Sequence, residues 1–356
     1  MEITDEKRSK YFSLFKNIIP EKPESLSLNS KPLIIDGLNT FIRAYSTNTI
    51  ANDNGIHVGG IIGTLLSIGY AAKLIRPTRI ILVFDGKGGS LRRRKLYPEY
   101  KAKRRTSLNL LRPDYYKTAE EDIENRDRQL MRLMNYLETL PISIISADNI
   151  EADDSIAYIT TNILNKDSQI TIMSSDRDFL QLINKNVKVW SPTKKILYDQ
   201  DTLYNEYGLI PHNYLIYRTL KGDPSDNIDG IKGCGIKTVR KNFPFLYEKS
   251  NAISIEEIIN IAIEREKKSK VYESVSKNKD QIHLNFKLMQ LHDVDISTHT
   301  KILIREQLER AINSYSKVDF LKYIFDDKIN LGNIDISEWL QKIFFPLDHF
   351  AAITRN

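Results

Sequence analysis

The sequence predicts an α/β fold, a mostly parallel central sheet flanked by helices, on three observations. Short apolar runs recur at 33–36 (LIID), 79–85 (RIILVFD), 141–146 (PISIIS) and 169–174 (QITIMS). Segments of helical length separate them, such as 61–75, closed by Pro77, and 153–164. Two of the runs end on an aspartate, Asp36 and Asp85, and Asp176 follows the fourth almost at once. Strands that are apolar throughout belong to sheets covered on both faces. Ligands of such sheets sit beyond the carboxyl ends of the strands, which is where these aspartates fall.

Taken in order, residues 1–31 read as a partly ordered N-terminal extension ending near Pro32. Glu2, Asp5 and Glu6 argue against a transit peptide, and there is no secretory apolar core. The sheet domain is expected over 32–199. Within it, 86–140 is long, charged and helical in pattern, too long for a simple connection. It is expected to leave the sheet at about 87–140 as an arch or lid. Runs at 187–190 and 195–198 flank SPTK (191–194), a hairpin. Residues 200–356 are expected to form a helical region, with a turn-rich stretch at about 222–245. The aromatic tail WLQKIFFPLDHF (339–350) reads as a core-packing helix, with a clamp or single-strand-binding protein as its other candidate partner.

Composition narrows the chemistry. The hydrophobic fraction is 41%, ordinary for a globular chain. No apolar run approaches the roughly 18 residues that span a bilayer, so no membrane association is expected and a cytoplasmic location fits. Cys234 is the only cysteine, which excludes an internal disulfide and a thiolate zinc site. The six histidines show no ligand spacing. The net charge is only +6, but 92–105 (RRRKLYPEYKAKRR) is dense in basic side chains, with Glu99 its one acid. A basic segment beside acidic pockets suits a phosphate polymer held against metal ions; alone, it is equally a solvated face.

The acids form four clusters: Asp36 with Asp85; Glu151, Asp153 and Asp154; Asp176 and Asp178; Asp223 and Asp226. If the strands are neighbours, their ends crowd these carboxylates together, an arrangement that repulsion forbids without cations. Oxygen-only ligands favour a hard ion, Mg²⁺ or Mn²⁺. A pair of such ions suits phosphodiester hydrolysis. Each cluster also has a plainer reading as helix caps or turn formers. Further on, Gly230-Ile-Lys-Gly-Cys-Gly-Ile-Lys-Thr238 matches a helix–hairpin–helix pattern. Gly230, Gly233 and Gly235 let backbone approach a phosphate, and Lys232, Lys237 and Thr238 add charge and a donor. Such contacts position a nucleic acid without reading its sequence. Cys234 sits there as a small apolar filler.

Six stretches together resemble the 5′ nuclease superfamily, which includes flap endonucleases, the 5′ nuclease domain of bacterial DNA polymerase I, and phage 5′-3′ exonucleases, some called RNase H. They are IDGLNTFIRAY (35–45), VFDG (83–86), YPEYKAKR (97–104), EADDSIAYI (151–159), SSDRDFLQLI (174–183) and GDPSDNIDGIKGCGIKTV (222–239). The resemblance implies a PIN-like sheet domain with a helical arch, followed by a helix–hairpin–helix subdomain. It implies two metal ions. Asp36, Asp85, Glu151, Asp153 and Asp154 match one group of ligands, and Asp176, Asp178, Asp223 and Asp226 the other, with Glu151 and Asp153 nearest the reacting phosphate. It matches Arg43, Tyr100 and Lys101 to residues that contact substrate, Lys101 at the base of an arch that admits a free 5′ strand. Arg92, Arg93, Arg94, Lys103 and Arg104 are expected on DNA, and the hairpin on downstream duplex, where the family can hold K⁺. DNA and RNA–DNA hybrids are the implied partners, and a monomer the implied state. The chain's size is more like that of phage enzymes than of fused bacterial ones.

Three other readings fit these residues less well. A PIN-type ribonuclease shares the acidic sheet but lacks the hairpin and basic arch. A non-catalytic junction-binding protein would have lost acids, and all nine are present. An aspartyl phosphotransferase wants a second aspartate two residues after the first, where this chain has Leu38.

Overall fold

The computed structural model describes residues 26–102, 111, 115–164, 166–249, 252–332 and 334–355. Lys103 and Arg104, with the rest of 103–110 and 112–114 in the expected arch, and most of the N-terminal extension lie outside these. Six strands form one sheet in the order β3-β2-β1-β4-β5-β6. They are β1 (Pro32–Asp36), β2 (Arg79–Asp85), β3 (Ile142–Ala147), β4 (Ile170–Met173), β5 (Val187–Ser191) and β6 (Ile196–Tyr198). All neighbours are parallel except β5 and β6, which form the expected hairpin. The chain builds outward from β1 to β3 and then returns to add β4 on the other side of β1. That reversal leaves a crevice at the carboxyl ends of β1 and β4.

Alternation along the strands assigns each face a core. Ile34, Ile81, Val83, Ile145 and Ile172 point to one side, where Ala152–Tyr158 and the helices from Gln200 to Glu309 pack. Leu33, Ile35, Ile80, Leu82 and Met173 point to the other, against Gly59–Ile75 and Ala119–Glu138. Apolar strands are thus buried on both faces, as their composition requires.

Two boundaries differ from the sequence expectation. Ala119–Glu138 buries Leu133, Tyr136 and Leu137 on the sheet, so it is a core helix and not part of an arch reaching 140. Arg132 and Tyr136 hold it to Asp327 at 2.9 and 2.7 Å. Nor does residue 200 separate two cores. The core on the first face runs unbroken from β1 to Leu308, and the chain then crosses to the second face, burying Phe320, Leu340, Phe344 and Leu347. Arg79 at the foot of β2 anchors this return through Ser143 and the Leu308 carbonyl. Leu340, Phe344 and Leu347 of the aromatic tail are therefore core, while Phe345 is exposed. Trp339 sits so close to Gly69 that a β-carbon there would lie 2.4 Å from its ring. Among the described residues no helix is long and apolar enough to cross a membrane.

Candidate active site

The strand ends bring the acids together. Asp36 closes β1 and caps Gly37–Thr47, accepting from the Asn39 amide at 3.1 Å and from Ser174 Oγ at 3.1 Å. Asp85 closes β2 and accepts the Ala152 amide at 2.7 Å, fixing the start of the acidic helix Ala152–Tyr158. Asp176 caps Arg177–Leu182 through the Asp178 amide at 2.8 Å, and Asp223 caps Pro224–Asp226 through Ser225. The capping role and a ligand role do not compete here. In Asp85 and Asp176 the cap contact named uses one carboxylate oxygen.

Two arginines fill the space between the acids. Arg93, 2% exposed, spreads its guanidinium over Glu151, Asp153 (3.1 Å) and Asp154 (2.9 Å), and its Nε donates to the Leu288 carbonyl at 2.9 Å. Arg218 binds Asp178 at 2.9 Å and Asp223 at 2.5 Å. Arg92 adds a contact to Asp154 at 3.0 Å, and Lys101 pairs with Glu151. Each acidic group thus carries its own internal cation.

These cations do not balance the site. Burial pushes Asp36 up to about 7, with repulsion from Asp85 and Asp176 added. Asp178 is pushed up to about 8 by burial and by Asp176, and Asp154 to about 6 by burial and by Asp153. Asp153 behaves differently: Arg93 and Lys101 outweigh its burial and hold it below the usual carboxylate range. Its side chain is 26% exposed, against 6% for Glu151 and 2% for Asp154, so it is the carboxylate of this trio that faces outward. Carboxylates pushed up in this way, with oxygen donors only, fit hard divalent ions. Among the described residues, no three potential ligands converge closely enough to enclose an ion in this conformation, in which arginines stand between them.

The structure corrects two expectations. Arg93 does not present itself to DNA; its guanidinium is consumed by three carboxylates and a carbonyl. Tyr100 is 2% exposed and no substrate contact. Its hydroxyl lies 3.0 Å from Glu151 and 3.1 Å from Asp226, linking the two acidic groups, while its ring packs on Leu215, Ile228 and Leu288. The Lys101 amide donates to the Asp226 carbonyl at 2.9 Å and Asn227 to the Glu99 carbonyl at 2.8 Å, so this segment is clamped to the loop carrying Asp226. Arg94 is exposed, as a DNA contact requires. Arg43 bonds Ser67 at 3.1 Å and makes no ion pair with the acids among the described residues. Arg218 was missed, although an arginine within the apolar run NYLIYRTL was a signal of a buried counter-charge.

The hairpin forms as expected. Gly233 takes φ +88, Gly235 precedes the helix Ile236–Asn242, and Lys232 and Lys237 are exposed. At Gly230 a β-carbon would lie 1.9 Å from the Lys221 carbonyl oxygen, so only glycine fits. Burial pushes the Cys234 thiol up to about 12, consistent with a filler.

The family described as "5′-3′ exonuclease, N-terminal resolvase-like domain" matches residues 31–208. The chain belongs to that 5′-3′ exonuclease family. Among this exonuclease's relatives, the 5′-3′ exonuclease of Buchnera aphidicola is 28% identical over 284 residues, covering 78% of this chain and 92% of that one. The 5′-3′ exonuclease of Bacillus subtilis is 31% identical over 222 residues, 60% of this chain and 69% of that one. DNA polymerase I of Mycobacterium tuberculosis is 32% identical over 219 residues, 59% of this chain but only 22% of the polymerase. The bacteriophage T5 D15 flap endonuclease, solved with DNA and metal ions, shares the fold at a TM-score of 0.59 and 19% identity, covering 83% of this exonuclease and 97% of that chain.

Proposed function

We propose that this exonuclease-family chain is a structure-specific 5′ nuclease that hydrolyses phosphodiesters of DNA, and of RNA primers on DNA, at 5′ ends and junctions. The observation that supports this most is the gathering of nine carboxylates at the carboxyl ends of β1, β2 and β4 beside a clamped basic segment. On this reading Asp36, Asp85, Glu151, Asp153 and Asp154 hold one Mg²⁺ or Mn²⁺, and Asp176, Asp178, Asp223 and Asp226 a second. Bound there, such ions activate a water and stabilise the leaving oxygen. The chain's own groups do the rest. Lys101, at the edge of the site, offers charge to the scissile phosphate. Ser174 and the Asn39 and Ala152 amides orient the acids. Arg94, with Lys103 and Arg104, guides the 5′ strand, and Arg43 contacts it. The hairpin, from Gly230 to Thr238, holds the downstream duplex by its backbone and is the place for K⁺. The acids belong to a sheet domain that includes Ala119–Glu138 and the C-terminal tail, and the hairpin to a helical subdomain. We place the protein in the cytoplasm as a monomer. Leu340, Phe344 and Leu347 of the tail pack in the core, which leaves Phe345 as the part of it open to a clamp or single-strand-binding partner.

Cleavage of a 5′-labelled flap in Mg²⁺, and its loss in EDTA, is the direct test; an intact flap after long incubation in either ion would refute the proposal. The PIN-type ribonuclease reading predicts instead that single-stranded RNA is cut and the flap is not.

Two further outcomes follow from the geometry. Tyr100→Phe keeps the packing and removes the hydroxyl between Glu151 and Asp226. The maximal rate should fall about ten-fold, KM should stay, and Mn²⁺ binding measured by calorimetry should weaken, since a group that orients ligands tunes the metal by about this factor. Unaltered Mn²⁺ affinity would show that the link has no bearing on the ions. Replacing Lys232 and Lys237 together by alanine should weaken duplex binding and shallow the log–log salt slope by about 0.9 per lost contact. A slope equal to the wild type's would take the hairpin off the phosphate backbone.

A further inference from the structure

The helix Lys279–Met289 carries none of the nine acids, yet both acidic groups are tied to its end. The last carbonyls of a helix have no donor within it and carry the negative end of its dipole. Here the Leu288 carbonyl accepts from Arg93 Nε at 2.9 Å, and Arg93 holds Glu151, Asp153 and Asp154. The Met289 carbonyl accepts from Gln181 Nε2 at 3.0 Å. Gln181 belongs to the short helix Arg177–Leu182 that carries Asp178 and is capped by Asp176. Two successive carbonyls of one helix thus receive one donor from each acidic group.

Gln181 is 2% exposed. Its Nε2 also donates to the Asp178 carbonyl at 2.8 Å, and its Oε1 accepts the Leu291 amide at 2.8 Å. Arg218 meanwhile holds the Asp178 carboxylate at 2.9 Å, so Asp178 is fixed by backbone and by side chain. Moving the Gln181 amide would leave three backbone groups without this partner, a costly change in a buried place. The helix end is itself fixed. Asn285, fully buried, donates to the Thr219 carbonyl at 3.0 Å and the Asp229 carbonyl at 2.9 Å, ahead of Asp223 and of the hairpin. Gln290 shapes the turn that presents the Leu291 amide, accepting from the His292 and Asp293 amides at 3.0 and 2.8 Å.

We infer that the end of the Lys279–Met289 helix sets the spacing of the two acidic groups, and that Gln181 is the positioning residue of the second. Gln181 acts through Asp178. It fixes the Asp178 backbone, and so the distance from that carboxylate to those that Arg93 holds. The inference rests on the two-ion reading proposed above. Two-ion hydrolysis needs that distance set, since metals that clamp one phosphate stand about 3.5–4 Å apart.

The test is the electron paramagnetic resonance of the protein titrated with Mn²⁺, beside single-turnover cleavage of a 5′ flap. Two Mn²⁺ ions at such a separation couple magnetically, and a lone ion does not. Gln181→Met keeps the volume and loses the three bonds. It should need about ten-fold more Mn²⁺ to develop the coupled signal, the effect of removing an outer group that orients a metal ligand. Its cleavage rate at saturating Mn²⁺ should fall about ten-fold, with flap affinity in EDTA unchanged, because Lys101 and the hairpin are untouched. Gln181→Asn keeps an amide but is one methylene too short to make all three bonds. It should show the same changes in smaller measure, and it carries the test if Gln181→Met does not fold. A glutamine that only closes a helix end would, when replaced, lower the melting temperature and move neither the coupled signal nor the saturated rate. That result would overturn the inference and leave the nuclease reading intact. A wild type that cuts the flap without a coupled pair would overturn the two-ion reading and the inference with it. No cleavage by the wild type would overturn the nuclease reading as well.

Discussion

Asp153→Asn should reduce the single-turnover rate on a 5′ flap about a thousand-fold, roughly 4 kcal/mol of barrier, while leaving flap affinity in EDTA close to that of the wild type. The choice of residue is physical. Asp153 is the one acid of its helix turn that is both open to solvent and held ionised, by Arg93 and Lys101. It also repels Asp85 on one side and Asp176 on the other, so it stands between the two proposed ions. Asparagine keeps the shape and the oxygen that accepts the Asp154 amide at 2.7 Å, and gives up the charge and the second oxygen, which accepts from Arg93 at 3.1 Å. Full cleavage by this variant would remove Asp153 from the chemistry.

The second large effect is on stability. Arg93→Met should destabilise the metal-free protein by about 3–5 kcal/mol, because Glu151 and Asp154 are left buried with much less counter-charge. Adding Mg²⁺ or Mn²⁺ should recover more of the melting temperature in the variant than it adds to the wild type, since the ions supply the charge that the guanidinium gave. The salt slope of DNA binding should not change, because Arg93 does not reach the surface. A variant that melts with the wild type in EDTA would mean that the three carboxylates do not depend on Arg93. A shallower salt slope would restore it as a DNA contact.

The two arginines also bear on how ions are admitted. Each acidic group is partly neutralised before any metal arrives, which lets the fold form with so many carboxylates at one sheet edge. The same guanidiniums occupy the space between the proposed ligands, so Glu151, Asp153 and Asp154, or Asp178 and Asp223, would hold an ion only with Arg93 or Arg218 turned from part of its contacts. The residual imbalance is seen in Asp36, pushed up to about 7, and Asp178, pushed up to about 8, by burial and by neighbouring carboxylates.

Much of this was legible in the residues. Apolar runs ending on Asp36 and Asp85 gave the parallel strands and their functional edge, because a doubly covered strand can carry polar residues only where it leaves the sheet. Spacing gave the hairpin, because glycine alone permits the backbone approach at Gly230 and the positive φ at Gly233. What local sequence could not carry was partnership across the fold. Arg93 reads as one more cation in a basic run until the Leu288 helix and the acidic turn close around it. Tyr100 reads as a surface aromatic until Asp226, far along the chain, meets its hydroxyl. Ala119–Glu138 shows the charged face of an amphipathic helix, and only docking on Gly59–Ile75 decides that it belongs to the core. The sequence by itself thus determined the elements and the kind of chemistry at the sheet edge, since both follow from nearest neighbours. The tertiary structure alone decided which charges are spent on one another and which face the substrate, since that depends on contacts such as those of Arg93 with Glu151, Asp153 and Asp154 and of Arg218 with Asp178, between residues far apart in the chain.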